Sequence, residues 1–186
     1  LDTVLVADHP DVVAAAHEGG VRSEAFAALA DVLAERRALL LVSAGNLRIL
    51  PASVLAAADR AVNFHDGPLP ELAGRNVTTW AIADGAAEHG VSWHELTTVV
   101  DGGGVLVAER FPIRADETAF ELNARCFEIA LRTFPQVLDL VLAGSPALPA
   151  STSKAYCSMP RVNGAIEIAV HGTPSSGSLR FSKAHR

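Results

Sequence analysis

Two hydrophobic signatures alternate along this chain: short continuous apolar runs, and apolar positions recurring every three or four residues. Residues 3–7 (TVLVA) are the first run and read as a short buried strand. An Ala-rich segment follows to about residue 17; Pro10 suits its first helical turn and Gly19-Gly20 end it. Residues 23–37 read as an amphipathic helix capped by Ser23, with Phe26, Leu29, Val32 and Leu33 on its core face. Residues 38–43 (ALLLVS) are apolar throughout, the pattern of a parallel strand covered on both sides. A loop (residues 44–51), a short helix (52–58) and a buried strand (60–64) come next.

After Gly74, residues 77–83 read as a helix. Residues 91–99 (VSWHELTTV) are β-rich and polar at alternate positions, which predicts a strand covered on one face. Asp101-Gly102-Gly103-Gly104 is a turn, and residues 105–111 form the antiparallel return strand. Asp116-Glu117 opens a long helix over 118–142, apolar at Phe120, Leu122, Cys126, Ile129, Ala130, Phe134, Val137 and Val141. Pro135 should kink or split it. Alternation of strands and helices makes this an α/β chain with one domain over residues 1–143. A strand at residue 3 leaves no room for a preceding β-α unit, so a doubly wound sheet would lack its usual first strand here. Residues 144–186 are rich in Pro, Ser and Gly and read as a tail or linker with one possible strand at 165–170.

Composition narrows the class. Of 186 residues, 49% are hydrophobic and 19% charged, a globular balance. The net charge of −6, with no Lys/Arg cluster, argues against a nucleic-acid partner. No apolar run has membrane-spanning length and no signal-peptide pattern opens the chain, so a cytoplasmic setting is expected. Cys126 and Cys157 share no motif spacing; Cys126 reads as a buried thiol in a reducing compartment.

The candidate chemistry gathers around Asn63-Phe64-His65-Asp66-Gly67-Pro68-Leu69-Pro70. Side chains alternate across a strand, so Asn63 and His65 project one way and Phe64 into the core. Asp101 stands in a turn whose glycines let backbone approach a ligand, though the same composition also makes a plain turn. A carboxylate near an imidazole orients the ring, and an amide beside it can donate to a developing oxyanion. Asn63, His65 and Asp101 together suit acyl transfer without a covalent nucleophile. His94 reads as a satisfied core histidine; His89 and His9 read as surface or cap residues. A metal site built from His65, Asp66, His94 and Asp101 is a weaker alternative, since no His-x-x-x-His spacing supports it, and no metal is expected. There is no G-x-S-x-G elbow, G-x-G-x-x-G fingerprint or P-loop.

Three blocks in order resemble the folate-dependent formyltransferases over about residues 38–143. Asn63-Phe-His65-Asp-Gly-Pro-Leu-Pro70 with Gly74 resembles N-x-H-x-S-L-L-P with a nearby Gly. Gly90-Val-Ser-Trp-His94 followed by Asp101-Gly-Gly103-Gly-Val105-Leu106 resembles G-V-T-x-H…D-x-G-x-I-L. Residues 44–50 (AGNLRIL) resemble the loop lining the folate pocket in the glycinamide ribonucleotide members. The resemblance implies a Rossmann-like, mostly parallel sheet flanked by helices with an antiparallel edge pair. It implies formyl transfer from 10-formyltetrahydrofolate to an amine, with catalytic Asn63, His65 and Asp101. It also implies Arg48, Ile49, Leu50 and the backbone around Val100 as folate contacts. Gly67-Pro68-Leu69-Pro70, Ala73-Gly74, Trp80 and Trp93-His94 are closer to formyltransferase domains of natural-product assembly lines than to methionyl-tRNA formyltransferase. Those domains imply an amine on a small molecule or carrier protein, within a larger multidomain chain. A non-catalytic, structural or folate-binding domain, and a 10-formyltetrahydrofolate hydrolase, are the competing readings.

Overall fold

The computed structural model describes residues 3–35 and 38–148. The expected strand at 165–170, most of the expected tail and Cys157 lie outside the described residues. The described residues form two compact units, one drawn from residues 3–35, 38–41 and 48–61, the other from residues 42–47 and 62–148.

In the first unit, β1 (Val4–Val6) leads into α1 (Pro10–Glu18), with Pro10 in the opening turn as expected. Gly20, at φ 68, turns the chain into β2 (Arg22–Glu24), which pairs parallel with β1, Val4 opposite Arg22. Ser23 is therefore a strand residue and not the expected helix cap. Pairing with a distant strand outweighs a local propensity, and the Ser23 hydroxyl meets His17 Nε2 at 3.0 Å. A 3-10 turn (Phe26–Ala28) and α2 (Leu29–Glu35) follow. The carboxylate of Asp8 accepts the Phe26 N–H at 2.9 Å and takes the capping role from across the unit. The core face does read as expected: Leu29 and Leu33 pack with Val54, joined by Val6, Phe26, Leu41 and Leu50. Val54 sits on the short α3 (Ala52–Ala56).

β3 spans Ala38–Ser43 and β4 spans Ala58–His65. They belong to a sheet of order β3-β4-β5-β6, with β5 at Glu88–Glu95 and β6 at Val105–Pro112. The α/β class with a Rossmann-like arrangement stands. Antiparallel pairing reaches beyond one edge pair: β5 runs antiparallel to β6 and also to β4.

β5 departs from the one-face expectation, because residues 89–94 are all buried. One face lies under α5 (Ala119–Leu142), where Trp93 Nε1 donates to Thr133 Oγ1 at 3.0 Å. The other lies under the loop after β4, where Ser92 Oγ accepts from Leu69 N–H (3.0 Å) and donates to the Gly67 carbonyl (2.9 Å). The polar residues of β5 thus mark internal hydrogen bonds, not a solvated face. Phe64 and Trp93 lie 5.2 Å apart, with Phe127 and Phe134 of α5 completing the aromatic core.

The helix α4 (Val77–Ala83) falls where the pattern put it. α5 begins at Ala119, one residue after its cap Thr118. It runs unbroken past Pro135, so of the kink or split expected there the split does not occur. Pro135 and Leu131, the residue whose carbonyl it cannot bond, are both exposed, so water can serve that carbonyl. Phe120 was expected on the core face and is 79% exposed. Beyond the helix, Leu148 exchanges both backbone hydrogen bonds with Val105, at 2.8 and 2.9 Å.

Candidate active site

The carboxyl end of β4 and the paired length of β5 bring the polar residues together. Asn63 stands opposite His94, and His65 opposite Ser92, on the face covered by the loop of residues 66–74. Alternation sends Phe64 to the aromatic core, as read from the sequence. Asn63 Nδ2 donates to His94 Nε2 at 3.1 Å. His94 is 1% exposed, and its Nδ1–H donates to the Glu95 carbonyl at 2.9 Å. Burial lowers the His94 pKa and outweighs the opposing pull of Asp101. The ring is therefore neutral with its lone pair on Nε2, which leaves the second Asn63 N–H for another acceptor.

His65 is also buried, and its Nε2–H donates to the Leu72 carbonyl at 2.6 Å. The ring so fixed turns Nδ1 toward two carboxylates: Asp101 Oδ2 and Asp66 Oδ1 each lie 3.9 Å away. Gly67 permits this fold of the loop. A Cβ there would stand 2.8 Å from His65 Nε2 and 2.9 Å from the Leu72 carbonyl oxygen.

Asp101 sits at φ 50, an uncommon conformation for a residue with a side chain. Its Oδ2 accepts the Gly74 N–H at 2.8 Å, and its Oδ1 lies 3.6 Å from His94 Nε2. The side chain is 10% exposed. The glycines after it serve the turn itself: a Cβ on Gly103 would collide with the Glu95 carbonyl at 1.8 Å. Gly103 thus lies against β5 backbone, while Gly102 faces Val99 and Gly104 faces Ala147.

Asn63, His65 and Asp101 thus share one site in the second unit, with His94 between the amide and the acid. The sequence reading gave His94 to the core, and buried it is, but Nε2 works inside the site. The signal in the sequence is the block in which His94 stands seven residues before Asp101; the pairing of His94 with Asn63 is seen only in the structure. His89, read as surface or cap, is fully buried, with Nε2–H donating to the Asp66 carbonyl at 2.7 Å. Ser92 was not singled out, although it pins the loop over His65.

The four residues expected at a folate pocket divide between the units. Arg48 pairs with Asp8 at 2.8 Å and lies over the Phe26 ring, and Leu50 packs on the Leu29 cluster, all within the first unit. Ile49 is 79% exposed, and Val100, in the second unit, is 49% exposed. Among the described residues, no group of three or more His, Cys, Asp or Glu side chains is arranged to hold a metal ion. Cys126 is a free thiol whose pKa burial pushes up to about 12, so it is no nucleophile at neutral pH. Among the described residues no helix is long and apolar enough to cross a membrane.

The chain as a whole resembles known proteins. The formyl transferase family model matches residues 2–138. Phosphoribosylglycinamide formyltransferase of Haemophilus influenzae is 33% identical over 118 residues, which are 63% of this chain and 56% of that protein. Methionyl-tRNA formyltransferase of Acidithiobacillus ferrooxidans is 38% identical over 101 residues, 54% of this chain and 32% of that protein. The chain therefore spans between about a third and somewhat over half of these relatives. The crystal structure of phosphoribosylglycinamide formyltransferase from Streptococcus pneumoniae superposes with a TM-score of 0.67 at 32% identity, covering 74% of this chain and 84% of that one. With a family match over most of its length and a matching fold, this chain belongs to the formyl transferase family.

Proposed function

We propose that the protein moves a formyl group from 10-formyltetrahydrofolate to an amine carried by a small molecule or by an aminoacyl group on a carrier protein. The observation that supports this reading is the meeting of Asn63, His65 and Asp101 around one polar site at the end of β4. Family membership adds the reaction class. The acidic net charge and the Gly67-Pro68-Leu69-Pro70 form of the motif favour the small or carrier-bound acceptor over a nucleic acid. A cytoplasmic setting suits the free buried thiol of Cys126.

The residues divide the work as follows. The neutral acceptor amine attacks the formyl carbon, the new C–N bond forms, and charge gathers on the formyl oxygen. Asn63 has one N–H held by His94 and offers the other to that oxygen. One such donor is typically worth about 3 kcal/mol in the transition state. His65 has its Nε2–H committed to Leu72, so Nδ1 is the nitrogen it turns to the reaction. Asp101, facing Nδ1, offsets an imidazolium formed on His65 during turnover and helps carry the amine proton to N10 as the C–N10 bond breaks, directly or through water. Val100, exposed beside Asp101, is the donor contact proposed in this unit. The donor roles of Arg48, Ile49 and Leu50 rest on family resemblance.

The test is tetrahydrofolate release from 10-formyltetrahydrofolate with and without candidate amines. Release that requires an amine supports the reading. Release without one makes the protein a hydrolase, and tight folate binding without release makes it a binding domain. His65→Ala and Asp101→Asn should each lower the transfer rate by about 100-fold or more. Near-native rates in either variant would overturn the assignment.

A further inference from the structure

Asp66 stands outside the Asn63, His65, Asp101 set, yet both of its polar ends are held. Its carbonyl accepts from His89 Nε2–H at 2.7 Å and lies 3.8 Å from the Cys126 thiol. Its carboxylate Oδ2 accepts from Asn123 Nδ2–H at 2.9 Å, so α5 fixes the side chain as β5 fixes the backbone. The other oxygen, Oδ1, lies 3.9 Å from His65 Nδ1, matching the distance from Asp101 Oδ2 to the same nitrogen. Asp101 is meanwhile shared: one oxygen takes the Gly74 N–H and the other faces His94. With Nε2–H of His65 spent on Leu72, the open edge of the ring lies between two carboxylates.

We propose that Asp66, aimed by Asn123, is a positioning residue for His65: a second carboxylate that steadies the Nδ1 edge of the ring and offsets an imidazolium formed there during turnover. This role rests on the formyl-transfer reading given above. A gap of 3.9 Å suits a bridging water, or a contact that closes when Nδ1 carries a proton. The 28% exposure of the Asp66 side chain leaves room for that water. The anchors explain why a half-buried acid just past the strand end should keep one orientation. A carboxylate free to swing into solvent would sample many rotamers.

Asp66→Asn is nearly isosteric and still accepts from Asn123, so it removes charge and keeps shape. The expected result is a kcat lower by about tenfold, below what a direct proton donor contributes. KM for donor and amine should stay within about twofold, with thermal stability little changed. Asn123→Leu should lose several-fold in kcat, and the double variant should be no worse than Asp66→Asn. In a His65→Ala background, Asp66→Asn should change the residual rate less than about twofold, since its effect passes through the missing ring. Nitrogen NMR of the His65 ring supplies a readout apart from turnover: Asp66→Asn should move the Nδ1 resonance and leave Nε2 in place. Wild-type kcat in Asp66→Asn, an equal loss in the His65→Ala background, or an unmoved Nδ1 resonance would overturn the proposal. A wild-type protein that never releases tetrahydrofolate would instead overturn the formyl-transfer reading, and the ring resonances would then decide whether Asp66 addresses His65.

Discussion

β5 buries one histidine near each of its ends, and only one of the two belongs to the site. His89 and His94 share the same environment in bulk terms: both are sealed from water, and burial holds both pKa values below the ordinary histidine range. They differ in where their nitrogens point. His94 uses both, giving Nδ1–H to Glu95 and taking the Asn63 amide on Nε2, which also looks toward Asp101. His89 gives Nε2–H to the Asp66 carbonyl, while its Nδ1 is buried with no hydrogen-bond partner among the described residues. Burial alone therefore does not make a histidine functional. What matters is whether the second nitrogen orders a group that itself faces the reaction.

Swapping each ring tests this contrast most sharply. His94→Ala frees the Asn63 amide to rotate, and kcat should fall about 10- to 100-fold, within the range of losing one oriented oxyanion donor. His89→Gln keeps a donor for the Asp66 carbonyl and removes the unpartnered nitrogen. Its kcat should stay within about threefold of wild type, while stability shifts by about 1 kcal/mol in either direction. Steady-state transfer rates beside urea denaturation separate the two effects. Equal rate losses in both variants would erase the distinction between the ends of β5.

The same contrast explains which parts of the molecule were legible in the sequence. Asn63 and His65 were readable because strand alternation is a local rule, and α4 matched its pattern at both ends. Leu29, Val32 and Leu33 were readable as core from helical spacing. The failures were non-local. Ser23 looked like a cap until pairing with β1 claimed it, and Asp8 supplied the cap instead. His89 and Ser92 looked polar and therefore exposed, because alternation on β5 cannot reveal that a loop covers one face and a helix the other. Asp66 gained its importance from Asn123, 57 positions away.

Acid should act at both ends of β5 together. An unfolded histidine takes up its proton near pH 6.5, whereas His89 and His94 in the fold hold off until lower pH. Between those values the unfolded chain binds more protons. Stability is therefore full above about pH 6.5 and falls as pH drops through the lowered values, by up to about 1.4 kcal/mol per pH unit for each ring. Urea midpoints measured at pH 7.5, 6.5 and 5.5 should decline over the last interval. His89→Gln should remove one ring's share of that decline and leave the share of His94. Unchanged midpoints between pH 7.5 and 5.5 would contradict the neutral assignment of both rings, and with it the direction of the Asn63–His94 hydrogen bond.

The smallest effect comes from α5, which touches both ends of the comparison through Asn123 and Thr133 without supplying a reacting group. Its start is fixed by a capping box: Glu121 N–H donates to Thr118 Oγ1 at 3.2 Å, and Thr118 N–H donates to the Glu121 carboxylate at 2.8 Å. The Thr118 N–H, joined by the Thr118 hydroxyl at 2.7 Å, donates to the Glu121 carboxylate and holds its pKa below the usual value. Thr118→Ala removes the hydroxyl and should cost about 1 kcal/mol of stability, the usual cost of a lost N-cap. The cap lies five residues before Asn123, so fraying of the first turn should stop short of the Asp66 contact and leave kcat within about twofold. A rate loss approaching that of His94→Ala would mean that the opening of α5 sets the geometry of Asp66. The polar site would then depend on how the helix begins as much as on the pairing of β4 with β5.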